Sequence, residues 1–324
     1  IGIVIGADYP IATSMITEFS NTRQRAFSIG FIAAMWYVGA TCADLVGYWL
    51  YDVEGGWRWM LGSAVIPCIL ILIGRFDLPE SPRWLLRKGR VKECEAMMIK
   101  LFGEPVVFDE EAPQETRFLQ LFNRRHFPFV LFVAAIWTCQ VIPMFAIYTF
   151  GPQIVGLLGL GAGKSAALGN VVISLCFMLG CIPPMFWLNS AGRRPLLIGS
   201  FIMMTLALAV LGLIPDMGAW LVVLAFAVYA FFSGGPGNLQ WLYPNELFPT
   251  DIRASAVGVI MSLSRIGTIV STWALPVFIT KYGISNVMLM GAGISLIGLL
   301  VSIAFAPETR GLTLAQTSQM TIRS

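Results

Sequence analysis

Long apolar stretches alternate with short polar ones along almost the whole chain. Each of nine such stretches holds roughly 20 residues, the length that an α-helix needs to cross a bilayer. One polar segment, 77–126, is longer than the other connections and includes a stretch typical of an amphipathic surface helix. The pattern predicts an all-α membrane protein with nine transmembrane helices, near residues 1–18, 27–50, 58–76, 127–150, 165–189, 195–215, 219–242, 254–279 and 284–306.

The composition agrees with a chain that is solvated mainly by lipid. Hydrophobic residues make up 57% of the 324 residues, charged residues make up 12%, and the mean hydropathy is +0.76. A soluble domain is usually about a quarter charged. The net charge of +3 is small and dispersed, so no nucleic-acid partner is expected.

The sequence lacks the motifs of common enzyme sites. Its six cysteines form no C-x-x-C pair, and neither an H-E-x-x-H nor a G-x-S-x-G motif occurs. The single histidine, His126, falls at a predicted membrane boundary and is interpreted as an interface residue. We therefore expect no catalytic residues, no metal site and no cofactor.

Lys and Arg residues are distributed unequally between the two sets of connections. Most of the 21 lie in the turns near 18–26, 75–125 and 190–195, at Arg253, or in the C-terminal tail. Cytoplasmic loops of membrane proteins carry the excess of Lys and Arg. The distribution therefore predicts a multi-pass protein whose C-terminus lies in the cytoplasm.

One charged turn occurs twice in the sequence. Glu18 and Arg25 stand seven residues apart, and Glu246 and Arg253 repeat that spacing 228 residues later, each time between two apolar stretches. The match continues without a gap as far as the Pro-Glu pair that follows each copy. Parallel repeats related by an axis along the membrane normal are typical of one large class of transporters.

The repeat predicts two halves of six helices each. Symmetry then requires three further helices before residue 1, so this chain is expected to hold the last nine of twelve. Two self-contained halves favour a monomer over an oligomeric channel. The predicted parts are 1–76, the second half of an N-terminal six-helix bundle; 77–126, a cytoplasmic linker with amphipathic helices; 127–306, a C-terminal six-helix bundle; and 307–324, a cytoplasmic tail.

Motifs at the predicted cytoplasmic ends resemble those of the major facilitator superfamily. The chain contains PESPRWL at Pro79–Leu85, GRRP at Gly192–Pro195 and PETRG at Pro307–Gly311, in that family's order and together with both Glu-x6-Arg turns. The likeness covers almost the whole chain and is closest to sugar porters and to bacterial inner-membrane metabolite–proton symporters. The resemblance implies a secondary transporter of the inner membrane that works by alternating access.

The resemblance also implies that charged residues of these motifs meet at the cytoplasmic helix ends. There they would form a latch, strong enough to hold one conformation and broken when the halves rock. The alternative is that they are solvated interface charges placed by the positive-inside rule. One position departs from the family pattern, because Asn189 stands where the family has an aspartate. The predicted latch residues are Glu18, Arg25, Glu80, Arg83, Arg193, Arg194, Glu246, Arg253 and Glu308.

The seventh helix departs from the sugar porters that the chain resembles. Those proteins carry two glutamines and an asparagine there, whereas this chain has Cys139, Gln140 and Phe145 in the matching places. A hexose needs many directed hydrogen bonds, and this helix offers few. We therefore expect a substrate other than a sugar, with a sugar or polyol as the alternative. The predicted substrate-binding residues are Arg265, Gln140, Asn238, Gln240, Trp241 and Tyr148, the last with a core or lipid-facing role as its alternative.

Two charges are predicted to lie deep in the membrane. Asp8 comes ten residues before Glu18, about 15 Å along a helix, and Arg265 comes twelve residues after Arg253, about 18 Å along another. A charge at that depth costs about 3 kcal/mol and is a functional candidate. We expect Arg265 to bind an organic anion, as the resemblance of this position to organic-anion transporters implies, and we expect Asp8 to exchange the coupling proton. The alternative is that Asp8 and Arg265 pair with each other or with the helices expected before residue 1. Asp44, nearer the outer surface, is interpreted as a water-facing helix end.

The run SGGPGNLQW at Ser233–Trp241 places three glycines and a proline inside one predicted helix. Proline removes a backbone donor, so this density predicts a bending point. Pro143 is expected to kink its helix similarly. The predicted hinge residues are Gly234, Gly235, Pro236, Gly237 and Pro143.

These patterns predict a secondary active transporter that imports a small metabolite, specifically a carboxylate anion, together with protons. A non-functional remnant is the alternative from another class. The transport site of this architecture lies between two halves, and only part of the first half is present. An upstream reading frame that supplies three more helices would favour the transporter.

Overall fold

The computed structural model describes residues 12, 16, 25–76, 80, 85, 88–102, 118–157, 163–214 and 218–310. These residues form helices and turns, and no strand occurs among them. Seven helical stretches within them are long and apolar enough to cross a membrane. The predicted all-α fold class is confirmed for this part of the chain.

The helices are numbered in chain order. Helices α2 and α3 follow each other directly and together make one apolar stretch, Gly56–Arg75. A short 3-10 helix, Phe118–Phe122, precedes α5. The bounds are α1 Arg25–Trp49, α2 Gly56–Ser63, α3 Val65–Arg75, α4 Val91–Phe102, α5 Phe127–Leu157, α6 Lys164–Ala191, α7 Arg193–Leu213, α8 Ala219–Leu247 and α9 Thr250–Phe305.

The predicted count of nine transmembrane helices is not confirmed. Apart from residues 12 and 16, the predicted segment 1–18 lies outside the described residues. The last two predicted segments are joined in α9, which would be about 80 Å long if straight, against a hydrocarbon core of about 30 Å. Gly283 interrupts α9 with φ 79° and ψ 164°, a backbone conformation that is open almost only to glycine.

In the predicted linker, α4 has the amphipathic character that the sequence indicates. Its buried Cys94 packs with Leu85 and the partly buried Met97, and Lys92 and Glu95 are exposed. Burial raises the pKa of the Cys94 thiol, since it disfavours the thiolate.

Helices α5 to α9 form the main body of the described structure. Helix α9 packs along α5 and α7, and α8 packs against α5, α6 and α7. Their buried side chains make one continuous hydrophobic core, in which Trp137, Phe201 and Phe226 are almost completely inaccessible.

Glycines let α8 approach its neighbours closely. A Cβ atom added at Gly180 of α6 would overlap the carbonyl oxygen of Phe231, and one added at Gly234 would overlap the carbonyl oxygen of Gly180. At Gly235 an added Cβ would overlap the hydroxyl of Ser200 on α7. Two of the predicted hinge glycines therefore have a packing role at helix crossings.

Helix α1, from the predicted first half, runs antiparallel along α6 of the second half. The rings of Phe27 and Phe186 lie 5.6 Å apart at one end, and Tyr37 stacks on Phe177 with centroids 5.8 Å apart further along. We call this α1–α6 interface the seam. Within the described residues it is the main contact between the two halves.

Candidate functional site

A cluster of charged side chains joins the ends of α7 and α8 to the chain that follows α9. Arg193 Nη2 lies 3.0 Å from Glu246 Oε1, and only 6% and 11% of these side chains are exposed. Arg193 Nη1 also donates to the carbonyl oxygen of Leu188 at 2.9 Å, and the Thr309 hydroxyl donates to Glu246 Oε2 at 2.5 Å. The Arg193–Glu246 pair is therefore a buried, hydrogen-bonded ion pair and not a solvated surface contact. We call Arg193, Glu246, Glu308 and Thr309 the Arg193 cluster.

Glu308 binds the N-terminus of α7. The backbone N–H groups of Arg193 and Arg194 donate to its two carboxylate oxygens at 3.0 and 3.1 Å. The first N–H groups of a helix have no intrahelical acceptor, and the helix dipole favours negative charge there. Gly192 makes the contact possible, because its φ is 91° and a Cβ atom would lie 2.6 Å from Glu308 Oε2.

We expect Gly192→Ala to lower the free energy of unfolding by about 1–3 kcal/mol, because the new methyl group strains the backbone and displaces the Glu308 carboxylate. Thermal unfolding of the purified protein measures the change. Gly218→Ala is a matched control, since Gly218 also precedes a helix but has φ −58° and open space around an added Cβ. Equal losses in the two variants would contradict the prediction.

The remaining predicted latch residues are placed differently. Arg253 is buried, and its Nε donates to the carbonyl oxygen of Phe248 at 3.3 Å. The exposed side chain of Arg194 donates to the carbonyl oxygen of Ile303 at 2.8 Å. Glu80 is exposed. The side chain of Arg25 and the whole of Glu18 and Arg83 lie outside the described residues.

Sequence reasoning missed Thr309, although it stands inside the PETRG motif. Its side chain is 1% exposed, and its hydroxyl donates to the Glu246 carboxylate. A threonine flanked by two charged residues in a motif that is expected to pair with Glu246 was a usable signal. The role of the cluster as a conformational latch stays a prediction.

The predicted substrate residue Tyr148 lies in a group of aromatic side chains along the seam. Trp36 of α1 makes edge contacts with Tyr148 and Phe145 of α5, at centroid distances of 5.6 and 6.1 Å. The ring of Tyr148 in turn lies 5.1 Å from Phe177 of α6. The Tyr148 hydroxyl is buried and lies near Ser174 of α6.

Arg265 lies beside this aromatic group. Its guanidinium carbon is 5.0 Å from the centroid of Phe145, which is a cation–π distance. The side chain is partly buried and stands in the interior of α9. Phe145, which the sequence marks only as the loss of an asparagine, thus contacts the residue that is predicted to bind an anion.

Gln140 links α5 to α8 in the interior. Its Nε2 donates to the Ser233 hydroxyl at 2.9 Å and lies 3.3 Å from the sulfur of Met144, which also accepts from the Tyr37 hydroxyl. Gln140 is completely buried, and its Oε1 has no partner among the described residues. One strong acceptor therefore stays unused near the seam.

The other predicted substrate residues on α8 are buried against neighbouring helices. Asn238 donates from Nδ2 to the carbonyl oxygen of Cys181 at 3.0 Å, and Trp241 packs edge to face on Trp137 at 4.8 Å. Gln240 is 7% exposed. In the described structure Asn238 and Trp241 hold α8 to α6 and α5, and substrate contact stays a prediction for all three.

The backbone stays helical at the predicted hinge residues, and their bending during transport stays a prediction. Helix α8 continues through Gly234–Gly237, and the non-helical backbone of α5 is at Phe150, two residues before Pro152, and not at Pro143. Pro143 instead lines an apolar cavity of about 390 Å³ between α5, α7 and α9. None of the predicted polar site residues lines this cavity, so it is separate from the candidate site.

Asp44, which the sequence indicates to be a water-facing helix end, also makes contacts between helices. The side chain is partly buried, and it accepts hydrogen bonds from Asn170, at 3.1 Å, and from Ser174. Closer to the end of the seam, Lys164 Nζ lies 2.5 Å from Asp52 Oδ2 in an exposed ion pair. The Asp44 contacts cross the seam, and the Asp52 pair joins the turn after α1 to the start of α6; sequence spacing within one half could not reveal either. Asp8 lies outside the described residues.

Comparison with known proteins agrees with this architecture. The sequence profile of the sugar (and other) transporter family matches residues 1–321. The chain is 91% identical over 323 residues to YaaU of Escherichia coli K12, which is provisionally named a metabolite transport protein; the match covers all of this chain and 73% of YaaU. The chain is also 34% identical over 317 residues to the inner membrane metabolite transport protein YgcS of the same organism. That match covers 97% of this chain and 70% of YgcS.

The fold is also found among solved structures. The proton:xylose symporter XylE of E. coli matches with a TM-score of 0.78 over 94% of this chain and 69% of XylE, at 19% identity. At that identity the match shows a shared fold alone. The family match spans nearly the whole chain and agrees with the helical bundle and with the motifs that form the Arg193 cluster. The chain therefore belongs to the sugar (and other) transporter family of the major facilitator superfamily, whose members are transporters and not enzymes.

Proposed function

We propose that this transporter imports a small carboxylate anion together with protons, by alternating access, across the bacterial inner membrane. Its family supports transport of a small molecule, and the named location of the relative YgcS supports the inner membrane. The excess of Lys and Arg in one set of connections supports a cytoplasmic C-terminus. The internal repeat supports a monomer in which two halves rock against each other.

The position of Arg265 carries the choice of a carboxylate. An arginine keeps its charge in a low-dielectric interior, so its guanidinium needs an anion or a set of acceptors around it. Here the guanidinium lies against the ring of Phe145, in the interior of a long apolar helix. A substrate carboxylate can accept two parallel N–H hydrogen bonds from a guanidinium. Such a bidentate pair binds strongly and fixes the orientation of the substrate.

Phe145 and its aromatic neighbours favour a substrate with an apolar body. The ring of Phe145 occupies the place where sugar porters have an asparagine, and Trp36 and Tyr148 extend the aromatic surface. An aromatic or aliphatic group can pack on these faces while its carboxylate reaches Arg265. Directed hydrogen bonds for several hydroxyl groups are scarcer here.

A neutral sugar is the second candidate function. XylE, which shares the fold, is named as a xylose symporter. Gln140 is one residue of the sugar-porter pattern that this chain keeps. Its Oε1 accepts no hydrogen bond from the described residues. This candidate predicts that sugars bind and that Arg265 is dispensable for their binding.

Alternating access would open and close the protein along the seam. The Arg193 cluster lies at the end where Phe27 meets Phe186, and the Asp52–Lys164 pair lies at the other. Asp8 is proposed as the proton carrier because it is the acid that the sequence places at mid-depth. Asp8→Asn should abolish accumulation against a gradient and leave downhill exchange intact; unchanged accumulation would exclude Asp8.

The substrate class is tested by ligand-induced thermal stabilisation of the full-length protein. The panel contains carboxylates (benzoate, butyrate, succinate), their amides, and neutral sugars (D-xylose, D-glucose, myo-inositol). We expect carboxylates to raise the melting temperature and their amides to leave it unchanged. Stabilisation by sugars alone, retained in Arg265→Ala, would replace the carboxylate proposal by the sugar one.

A further inference from the structure

The carboxylate of Asp44 connects the two halves inside the seam. Asp44 belongs to α1 and lies five residues before that helix ends at Trp49. Both of its hydrogen-bond donors in the described structure belong to α6: Asn170 donates to Oδ1 at 3.1 Å, and Ser174 donates to Oδ2. Each carboxylate oxygen thus has its own donor from the opposite half.

The two donors are held in place by packing. Asn170 is 5% exposed and Ser174 is 1% exposed. Asn170 also fills the space beside Gly151 of α5, where an added Cβ would overlap its side-chain oxygen. Charge-assisted hydrogen bonds to a carboxylate are about twice as strong as neutral ones, and the burial of both donors limits competition from water.

Few other charged or titratable groups of the described residues face this contact. The hydroxyl of Tyr148, from α5, is within electrostatic reach of Asp44 and Ser174. On α1 itself, Tyr48 follows one turn later and lies under the ammonium group of Lys164 at 5.4 Å. Lys164 is paired with the exposed Asp52, so that pair is screened by water and salt.

We propose that Asp44, Asn170 and Ser174 form a clasp that holds the two halves together at the Lys164 end of the seam. The clasp opens whenever this end opens during the transport cycle, and it recloses when the end closes. Because Tyr148 adjoins both the clasp and the aromatic surface beside Arg265, the clasp borders the candidate substrate site. This inference depends on rocking of the two halves and is independent of which substrate is carried.

The clasp is tested by the rate at which an impermeant thiol reagent labels a cysteine buried in the seam. Thr41 is a suitable position, since it is 4% exposed and precedes Asp44 by three residues on the same side of α1. Its hydroxyl donates to the carbonyl oxygen of Tyr37 in its own helix. Thr41→Cys is placed in full-length protein from which the native cysteines, including the six of this chain, have been removed. Asp44→Ala and Ser174→Ala are then compared with this parent.

Loss of either clasp partner is expected to raise the labelling rate of Thr41→Cys roughly 5- to 150-fold, the range of typical coupling between conformational states. Asp52→Asn is the matched control: it breaks the exposed pair between the turn that follows α1 and the start of α6, and it is expected to change the rate less than about 5-fold. A cysteine at Ala207, buried on α7 away from the seam, should stay unlabelled in every variant.

The labelling rates at the two cysteine positions either support or overturn the clasp. Faster labelling at Thr41 with protection at Ala207 supports the clasp, whereas labelling at both positions means general unfolding and overturns it. An unchanged rate in Ser174→Ala, which keeps the Asp44 charge and the helix intact, also overturns it, even if Asp44→Ala fails to fold. Thermal stabilisation by carboxylates is measured separately, so failure of the clasp leaves the substrate proposal standing.

Discussion

Glu246→Ala is expected to lower the free energy of unfolding by about 3–5 kcal/mol, because it leaves the buried guanidinium of Arg193 without its carboxylate. The pair has a separation of 3.0 Å, and its side chains are 6% and 11% exposed. The same change removes the acceptor of the Thr309 hydroxyl. Thermal or denaturant unfolding in detergent measures the loss.

The exposed pair of Arg90 and Glu93 provides the control. Its side chains are 47% and 57% exposed, so Glu93→Ala should leave the melting temperature almost unchanged. A loss in Glu246→Ala no larger than that in Glu93→Ala would mean that the Arg193–Glu246 pair is as solvated as a surface contact.

The double change Arg193→Met with Glu246→Leu separates stability from switching. Replacing a buried pair by apolar side chains of similar volume is often neutral or stabilising, so the melting temperature should recover. If the cluster is also a latch, a cysteine on the cytoplasmic side of the cavity should still be labelled roughly 5- to 150-fold faster than in the unmodified pair. If both the melting temperature and the labelling rate returned to the values of the unmodified protein, the cluster would have a structural role only.

Arg265→Ala is expected to weaken binding of a stabilising carboxylate by about 2–5 kcal/mol, which is roughly 30- to 5,000-fold in Kd. Arg265→Lys keeps the charge but loses the two-pronged donor, so it should bind between the wild type and Arg265→Ala. Phe145→Leu removes the ring beneath the guanidinium and should cost about 0.5–2 kcal/mol. Isothermal titration of the purified variants gives these values.

Lys281→Ala is the control for charge alone. Lys281 lies on the same helix as Arg265, and its ammonium group is 5.2 Å from the ring centroid of Tyr282. Its removal should leave carboxylate binding unchanged. If Lys281→Ala and Arg265→Ala weakened binding equally, the effect would come from net charge and not from a site at Arg265.

Sequence spacing predicted the helical fold and drew attention to most of the Arg193 cluster. Apolar stretches of membrane length are long, continuous signals, and a motif repeated at a fixed offset identifies equivalent helix ends. The connection between Arg193 and Glu246 came from the resemblance to the major facilitator superfamily, which implies that its cytoplasmic motifs meet. The fold places their charged atoms 3.0 Å apart.

Contacts between helices that carry no motif could not be predicted. Asp44 and its donors Asn170 and Ser174 lie more than 120 residues apart in sequence, and no spacing rule connects them. The glycines of α8 were interpreted as hinges because local chemistry is all that a sequence shows. Their close packing on Gly180 and Ser200 depends on how three helices cross.

The merging of two predicted helices into α9 has a similar cause. Hydropathy located both apolar stretches, but the connection between them is so short that hydrogen-bonded helix continues up to Gly283 and resumes after it. Apolar residues and glycine alone do not reveal whether a short connection is a loop or a sharp bend.

Uptake into proteoliposomes tests the central claim most directly. Liposomes that contain the full-length protein are given an equimolar mixture of the same carboxylates, amides and sugars under an inward proton gradient, and the accumulated compounds are identified by mass spectrometry. We predict that a carboxylate accumulates above the level in empty liposomes, and that accumulation is lost in Arg265→Ala and when the gradient is dissipated. Accumulation of a sugar alone, with full activity in Arg265→Ala, would contradict a carboxylate transporter built around Arg265.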